Sequence, residues 1–496
     1  MNAIGEIINI MNIEDRRAFM AYLQKKNTRK DAGNIKLFKL LETDDINALK
    51  NNFTTKKSAD AYHALNKRLY DNMIEFMGNR TFETATGEAH EVLRLLQVSR
   101  LFFEHQLTKT AFKCLVKAEA KALPLEQFSL LNEIYHTQVQ YAHLNPTLDL
   151  ALVMEKFKEN REKLYREEQL NLGYALLRKE LIEIQHKGKV VDFRAFIVST
   201  MESLGISLNE ILTFKSLYQI LFMANEYATI NSNFTLVAPF VEKSYSFIAH
   251  KQELAGKQLY YHIYILYFMA NINFRNHRFA ESEAYLDRMM EQMQKQNRQY
   301  YSRFALRYFL LLSLNKNFGG APGQAMHIAE KALKEAGKKA DPVDVNDLRI
   351  CIAMFCLQQS DRTAAKYMRQ FAHTDSWYEK KMGMLWTIRK ALLEILMHTE
   401  FGNSELALSR LKSFKRRYKK YLAEVKEDRV MQYALMVEKY ILKPEMAIHP
   451  QFKPAIMAML TPELKEDIFI LSFLGWLLGK ATKKSTYDAT LELMAM

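Results

Sequence analysis

The chain has 496 residues, 49% of them hydrophobic, with only 16 glycines and 9 prolines, and 70 Lys and Arg against 56 Asp and Glu give a formal net charge of +14. So few turn residues, against usual shares of about 7% and 5%, require long uninterrupted elements, and the abundance of Leu, Lys, Glu, Ala, Met and Gln in them makes these helices rather than strands. Three cysteines exclude a disulfide framework and point to a reducing cytoplasm, while the positive charge favours anionic partners without bearing on fold.

In chain order, Met1 to Met11 carries Glu6 and no basic leader, so it reads as an amphipathic helix rather than a signal peptide. Glu14 to Lys25, Ile35 to Leu41 and Ala59 to Met77 follow as helices, and residues 1–90 are expected to form a helical N-terminal cap or a small helical domain. Lys25, Lys26, Arg29 and Lys30 form a basic cluster here, at residues 25–30. The Ile35 to Leu41 helix is short and apolar, however, and makes no credible recognition helix.

Residues 91–443 alternate apolar runs of period 3.6 with short breaks. Leu259 to Phe274, the break Asn276-His277-Arg278 and Phe279 to Met293 make one helical hairpin. Small residues recur twelve and then seven positions apart, as Ser99, Ala111 and Ala118; Ser313, Ala325 and Ala332; Ala353, Ala365 and Ala372; and, more loosely, Ala270, Ser282 and Met289. Two helices cross closely only where side chains are small. Taking Ala111, Ala151, Phe196, Val237, Ser282, Ala325, Ala365 and Ala407 as second-helix markers gives about eight helix pairs, one roughly every forty residues.

This arrangement resembles the tetratricopeptide repeat, most clearly from Leu95 to Ala118 and from Tyr260 to Phe414. The resemblance implies an all-α, right-handed α-α superhelix, or solenoid, of about eight helical hairpins with helical N- and C-terminal caps. The period exceeds the usual 34 residues or so, which requires longer helices or connections.

Residues 444–496 break the pattern. Pro444, Pro450, Pro454 and Pro462 make the segment irregular before a final helix from Glu463, expected to seal the last repeat. The apolar run Ile468 to Leu478, bounded by Asp467 and Lys480, falls short of the roughly 20 residues a membrane span needs. It reads as a buried terminal helix, with no membrane insertion.

Motifs for chemistry are lacking. Gly319-Gly320-Ala321-Pro322-Gly323 has neither a preceding strand nor a following Lys-Ser/Thr, so it is a connection and not a phosphate cradle. The 13 histidines are scattered, His90 and His105 lack companion carboxylates, and Cys351 and Cys356, like Cys114, suit buried apolar positions. No serine or cysteine sits in a nucleophile signature, so no catalytic residue, metal or cofactor is expected.

Two surfaces remain. Between Arg410 and Lys420 the cations Lys412, Lys415, Arg416, Arg417, Lys419 and Lys420 surround a stripe of Phe414, Tyr418 and Tyr421. This is either an ordinary solvated helix face or a patch for phosphates or an acidic protein, and with the N-terminal lysines it carries the alternative of a nucleic-acid-binding or regulatory protein. The tetratricopeptide resemblance places ligands instead in a concave groove lined by first helices. Carried over, it points to Tyr264, Tyr267, Asn271, Phe274 and Arg275, and in the next unit Arg307 and Asn317. Tyr, Asn and Arg suit the grip of an extended peptide, although the aromatics also fit core spacing. The expected function is a non-catalytic scaffold or adaptor that binds a peptide or protein partner.

Overall fold

The computed structural model describes residues 3–11, 13–26, 33–42, 56–84, 88–187, 193–206, 213–231, 234, 237–337, 340–425, 427–461 and 467–496. Among them, all regular structure is helical. The chain forms two compact units, Met1–Lys158 and Glu159–Met496.

The first unit holds α1 (Ala3–Ile10), α2 (Ile13–Lys26), α3 (Gly33–Glu42), α4 (Lys56–Thr84), α5 (Glu88–Glu104), α6 (Thr108–Ala122) and α7 (Phe128–Gln140). Helices α1 to α4 share an apolar core centred on Phe19, Phe38, Leu69 and Met73. Helices α5 and α6 pack as a close pair, with Ser99, Ala111 and Ala118 fully buried, as the small-residue spacing anticipates. The boundary between units falls inside α8 (Leu150–Lys187). The marker Ala151 therefore opens one unbroken helix instead of belonging to the second half of a hairpin. The lone Gly173 among strong helix formers costs only about 1 kcal/mol, too little to break the helix.

The second unit continues with α9 (Phe193–Leu204), α10 (Phe214–Asn231), α11 (Ala238–His250), α12 (Gln252–Ala255), α13 (Leu259–Arg275), α14 (Phe279–Arg298), α15 (Tyr301–Phe318) and α16 (Pro322–Glu335). It ends with α17 (Pro342–Gln358), α18 (Ala364–Met368), α19 (Asp375–Met382), α20 (Met384–Glu400), α21 (Ser404–Glu424), α22 (Asp428–Leu442), α23 (Phe452–Met457), α24 (Ile468–Thr482) and α25 (Thr486–Ala495). Helices α13 and α14, α15 and α16, α17 and α18, and α20 and α21 pair as hairpins, and the first helices α10, α13, α15, α17, α20 and α22 each pack on the next. Crossings fall at the small residues: Ser282 Oγ donates to the Ala270 carbonyl at 2.8 Å, and Ser313, Ala325, Ala353 and Ala407 are fully buried.

Three expectations need correction. The described helices outnumber what about eight pairs would hold, because short helices such as α12, α19 and α23 lie between the pairs and the chain ends. Helix α18 stops at Met368, so Ala372 is an exposed residue beyond it rather than a crossing point, and Ala364 is buried beside a half-buried Ala365.

The terminal helix does more than seal the last pair. The expected start at Glu463 lies outside the described residues, and α24 begins after Asp467, whose carboxylate caps the Phe469 and Ile470 amides. It lies across several first helices at once. Gln358 Nε2 donates to Ser472 Oγ (3.0 Å), Trp476 Nε1 to Glu400 (2.8 Å) and Tyr433 Oη to the Phe473 carbonyl (2.9 Å). From α25, Tyr487 Oη donates to the Asn317 carbonyl at 2.6 Å. Every residue from Leu471 to Gly479 is buried, as a helix apolar on all sides requires: it has no face to give to water.

Candidate partner-binding face

On α13, Tyr264, Tyr267, Asn271 and Arg275 follow one another by three or four residues and form a single half-buried stripe. Phe274, expected beside them, points into the core and is 1% exposed. Arg307 on α15 donates from Nη1 to Tyr264 Oη (2.9 Å) and from Nε to Asp344 Oδ1 on α17 (2.9 Å). One polar chain thereby crosses three successive first helices. Burial disfavours the Arg307 charge, but the Asp344 carboxylate outweighs it and raises the guanidinium pKa; burial likewise pushes Asp344 up, with Arg307 opposing. Asn271 Nδ2 extends the ladder in the other direction, donating to Asn225 Oδ1 on α10 at 2.7 Å.

Aromatic rings and guanidiniums flank this ladder. Tyr218 of α10 lies 5.0 Å from the Tyr264 ring, and its hydroxyl is 3.1 Å from that of Tyr174 on α8. Arg303 stands 5.0 Å over Tyr260, and Arg178 5.6 Å over Tyr174. A cavity of about 880 Å³ opens beside them, lined in part by Tyr264, Tyr301, Arg303, Arg307, Phe309 and Asp344.

Beneath the surface, burial shifts the ionisable groups of this face. Burial pushes Tyr267 up to about 12 and Asp347 up to about 7, the latter opposed by the hydrogen bond from Trp386 Nε1 at 2.8 Å. Arg389 pairs with Asp467, and although burial disfavours the Asp467 charge, Arg389 and Arg275 keep its pKa below the ordinary carboxylate value. Arg275 itself lies over the rings of Phe234 and Phe274.

Asn317 departs from expectation. Its side chain is fully buried, donating to Gln358 Oε1 at 3.0 Å, and the C-terminal hairpin covers that stretch of the face. The structure thus gathers Tyr264, Tyr267, Asn271, Arg275 and Arg307 and withdraws Asn317. Sequence reasoning missed Tyr218, Asn225, Asp344, Asp347 and Trp386. The roughly forty-residue offset would have reached Asn225, Asp344 and Trp386, which pair with residues one repeat away.

The basic cluster on α21 is partly neutralised. Lys415 pairs with Glu438 (2.7 Å), Arg417 forks onto Glu379 (2.8 and 2.9 Å) and Lys420 approaches Glu424 (3.8 Å). Lys412, Arg416 and Lys419 are exposed and have no ion-pair partner among the described residues, while Phe414 and Tyr418 are core. In the first unit Lys26 pairs with Glu75 at 2.6 Å; Arg29 and Lys30 lie outside the described residues.

Among the described residues no cluster of His, Cys, Asp or Glu is arranged to hold a metal ion, and no helix is long and apolar enough to cross a membrane. No family model matches the chain, and no curated protein does.

Proposed function

We propose that this chain is a non-catalytic cytoplasmic adaptor, a tetratricopeptide-like right-handed solenoid that binds an extended segment of a partner protein along the open first-helix face between α10 and α17. The Tyr264–Arg307–Asp344 ladder beside an open cavity carries this reading. Tyrosine and arginine are enriched at binding hot spots: tyrosine brings large contact area with few rotatable bonds and a polar end, and arginine a planar guanidinium with five donors. Asn225 and Asn271 add amide groups that match a peptide backbone. The C-terminal hairpin supports the same placement, since it covers the C-terminal ends of α15 and α17, at Asn317 and Gln358, and leaves Arg307 and Asp344, nearer their N-terminal ends, for a partner.

The nucleic-acid alternative has less support, because half of the α21 cations named above already face glutamates. Peptide-display selection on the full chain tests the proposal. Peptides enriched on the wild type are expected to lose about tenfold or more in affinity with Arg307→Ala or Tyr264→Ala, and to be indifferent to Lys412→Ala. Loss confined to Lys412→Ala, or duplex DNA competing away the peptides, would point to the basic face instead.

A further inference from the structure

Helix α18 has 5 residues, where the second helices on either side, α16 and α21, have 14 and 21. A turn in which Asp361 accepts from the Thr363 amide (2.8 Å) and hydroxyl (2.7 Å) precedes this helix, and after Met368 helical structure resumes only at Asp375. Where neighbouring pairs have a full second helix, this pair has a cleft of about 910 Å³, within the usual range for a small-molecule site.

Its lining is not that of a packing defect. His373 and Trp377 stack on each other, 4.0 Å apart at 21°, as a two-ring aromatic pair at the cleft. Arg349 donates from Nη1 to Asn346 Oδ1 at 3.3 Å, while its buried Nε has no hydrogen-bond partner among the described residues. Lys334 and Lys366 stand exposed at the cleft, and the acid lining it, Glu330, is already bonded by the Tyr367 hydroxyl. An aromatic pair, a buried guanidinium nitrogen without a hydrogen-bond partner among the described residues and two exposed lysines line one cavity.

We infer that this cleft binds a small anion carrying an aromatic ring, with the ring against His373 and Trp377 and a phosphate or carboxylate held by Arg349 and Lys366. A planar guanidinium takes either anion through paired hydrogen bonds, and a flat ring gains from stacking on Trp. The site stands apart from the proposed partner face and does not depend on that reading.

Calorimetric titration of the full chain with adenosine monophosphate, indole-3-carboxylate, adenosine and inorganic phosphate tests this. At least one of the two aromatic anions is expected to bind about tenfold or more tightly than adenosine or phosphate, and which one does so identifies the anionic group. Arg349→Gln, and separately the surface change Lys366→Gln, are each expected to weaken that binding by about tenfold. Absence of binding by both aromatic anions at millimolar concentration, equal binding of neutral adenosine, or indifference to both substitutions would overturn the proposal.

Discussion

Asp347 is a carboxylic acid held in an environment that disfavours its charge. With a Trp386 hydrogen bond and no ion pair among the described residues, its buried carboxyl is pushed up to about 7 from an ordinary 3.8. An acid with a higher pKa folded than unfolded holds its proton longer in the folded state, so its contribution to stability is lost as pH rises from about 4 to about 7. Asp347→Asn keeps the acceptor for Trp386 without the charge. Its melting temperature relative to wild type is therefore expected to climb across that window and level off above it; a difference that is flat with pH would contradict this account. Arg307 poses the opposite case. Removing it in Arg307→Ala leaves Asp344, 8% exposed, without its charge partner, and should cost about 1–3 kcal/mol in urea unfolding, part of it recovered by adding Asp344→Asn. Of the ladder residues, Tyr264 and Arg307 were reached from the sequence through the first-helix groove that the tetratricopeptide resemblance implies. Asp344 and Asp347 were not: their importance comes from a neighbouring helix about forty residues away.

At the scale of elements, the close crossing of α24 and α25 depends on a missing side chain. A methyl group on Gly475 would lie 2.2 Å from Thr490 Oγ1 and 2.9 Å from its backbone Cα, so Gly475→Ala is expected to destabilise the chain by about 1–3 kcal/mol. Gly323, near the start of α16, faces open space, and Gly323→Ala should instead gain up to about 1 kcal/mol from helix propensity. Thermal melts of the two variants should shift in opposite directions. Hairpins from α13 to α21 were legible because apolar period and small crossing residues agree there. The break after Met368 was not, because the small-residue spacing runs on through it to Ala372.

For the whole molecule, the informative contact is one that no repeat pattern encodes. Gln358 and Ser472 are 114 positions apart, yet their hydrogen bond fixes the C-terminal hairpin on the first-helix face. Sequence periodicity finds neighbours one repeat away; it cannot place an apolar helix that returns from the chain end. The apolar run itself announced burial, and only its location was hidden. This return divides the face into a filled part and an open part, which is why the groove residues named from sequence separate into Tyr264 and Arg307 on one side and Asn317 on the other.

Hydrogen exchange followed by mass spectrometry, on the full chain with and without a display-selected peptide, tests that division most directly. The account predicts that α24 amides exchange among the slowest in the free protein and do not change on binding, while peptide protects α10, α13 and α15. Fast exchange in α24, or its deprotection when peptide binds, would show that the hairpin is a displaceable occupant and contradict the account.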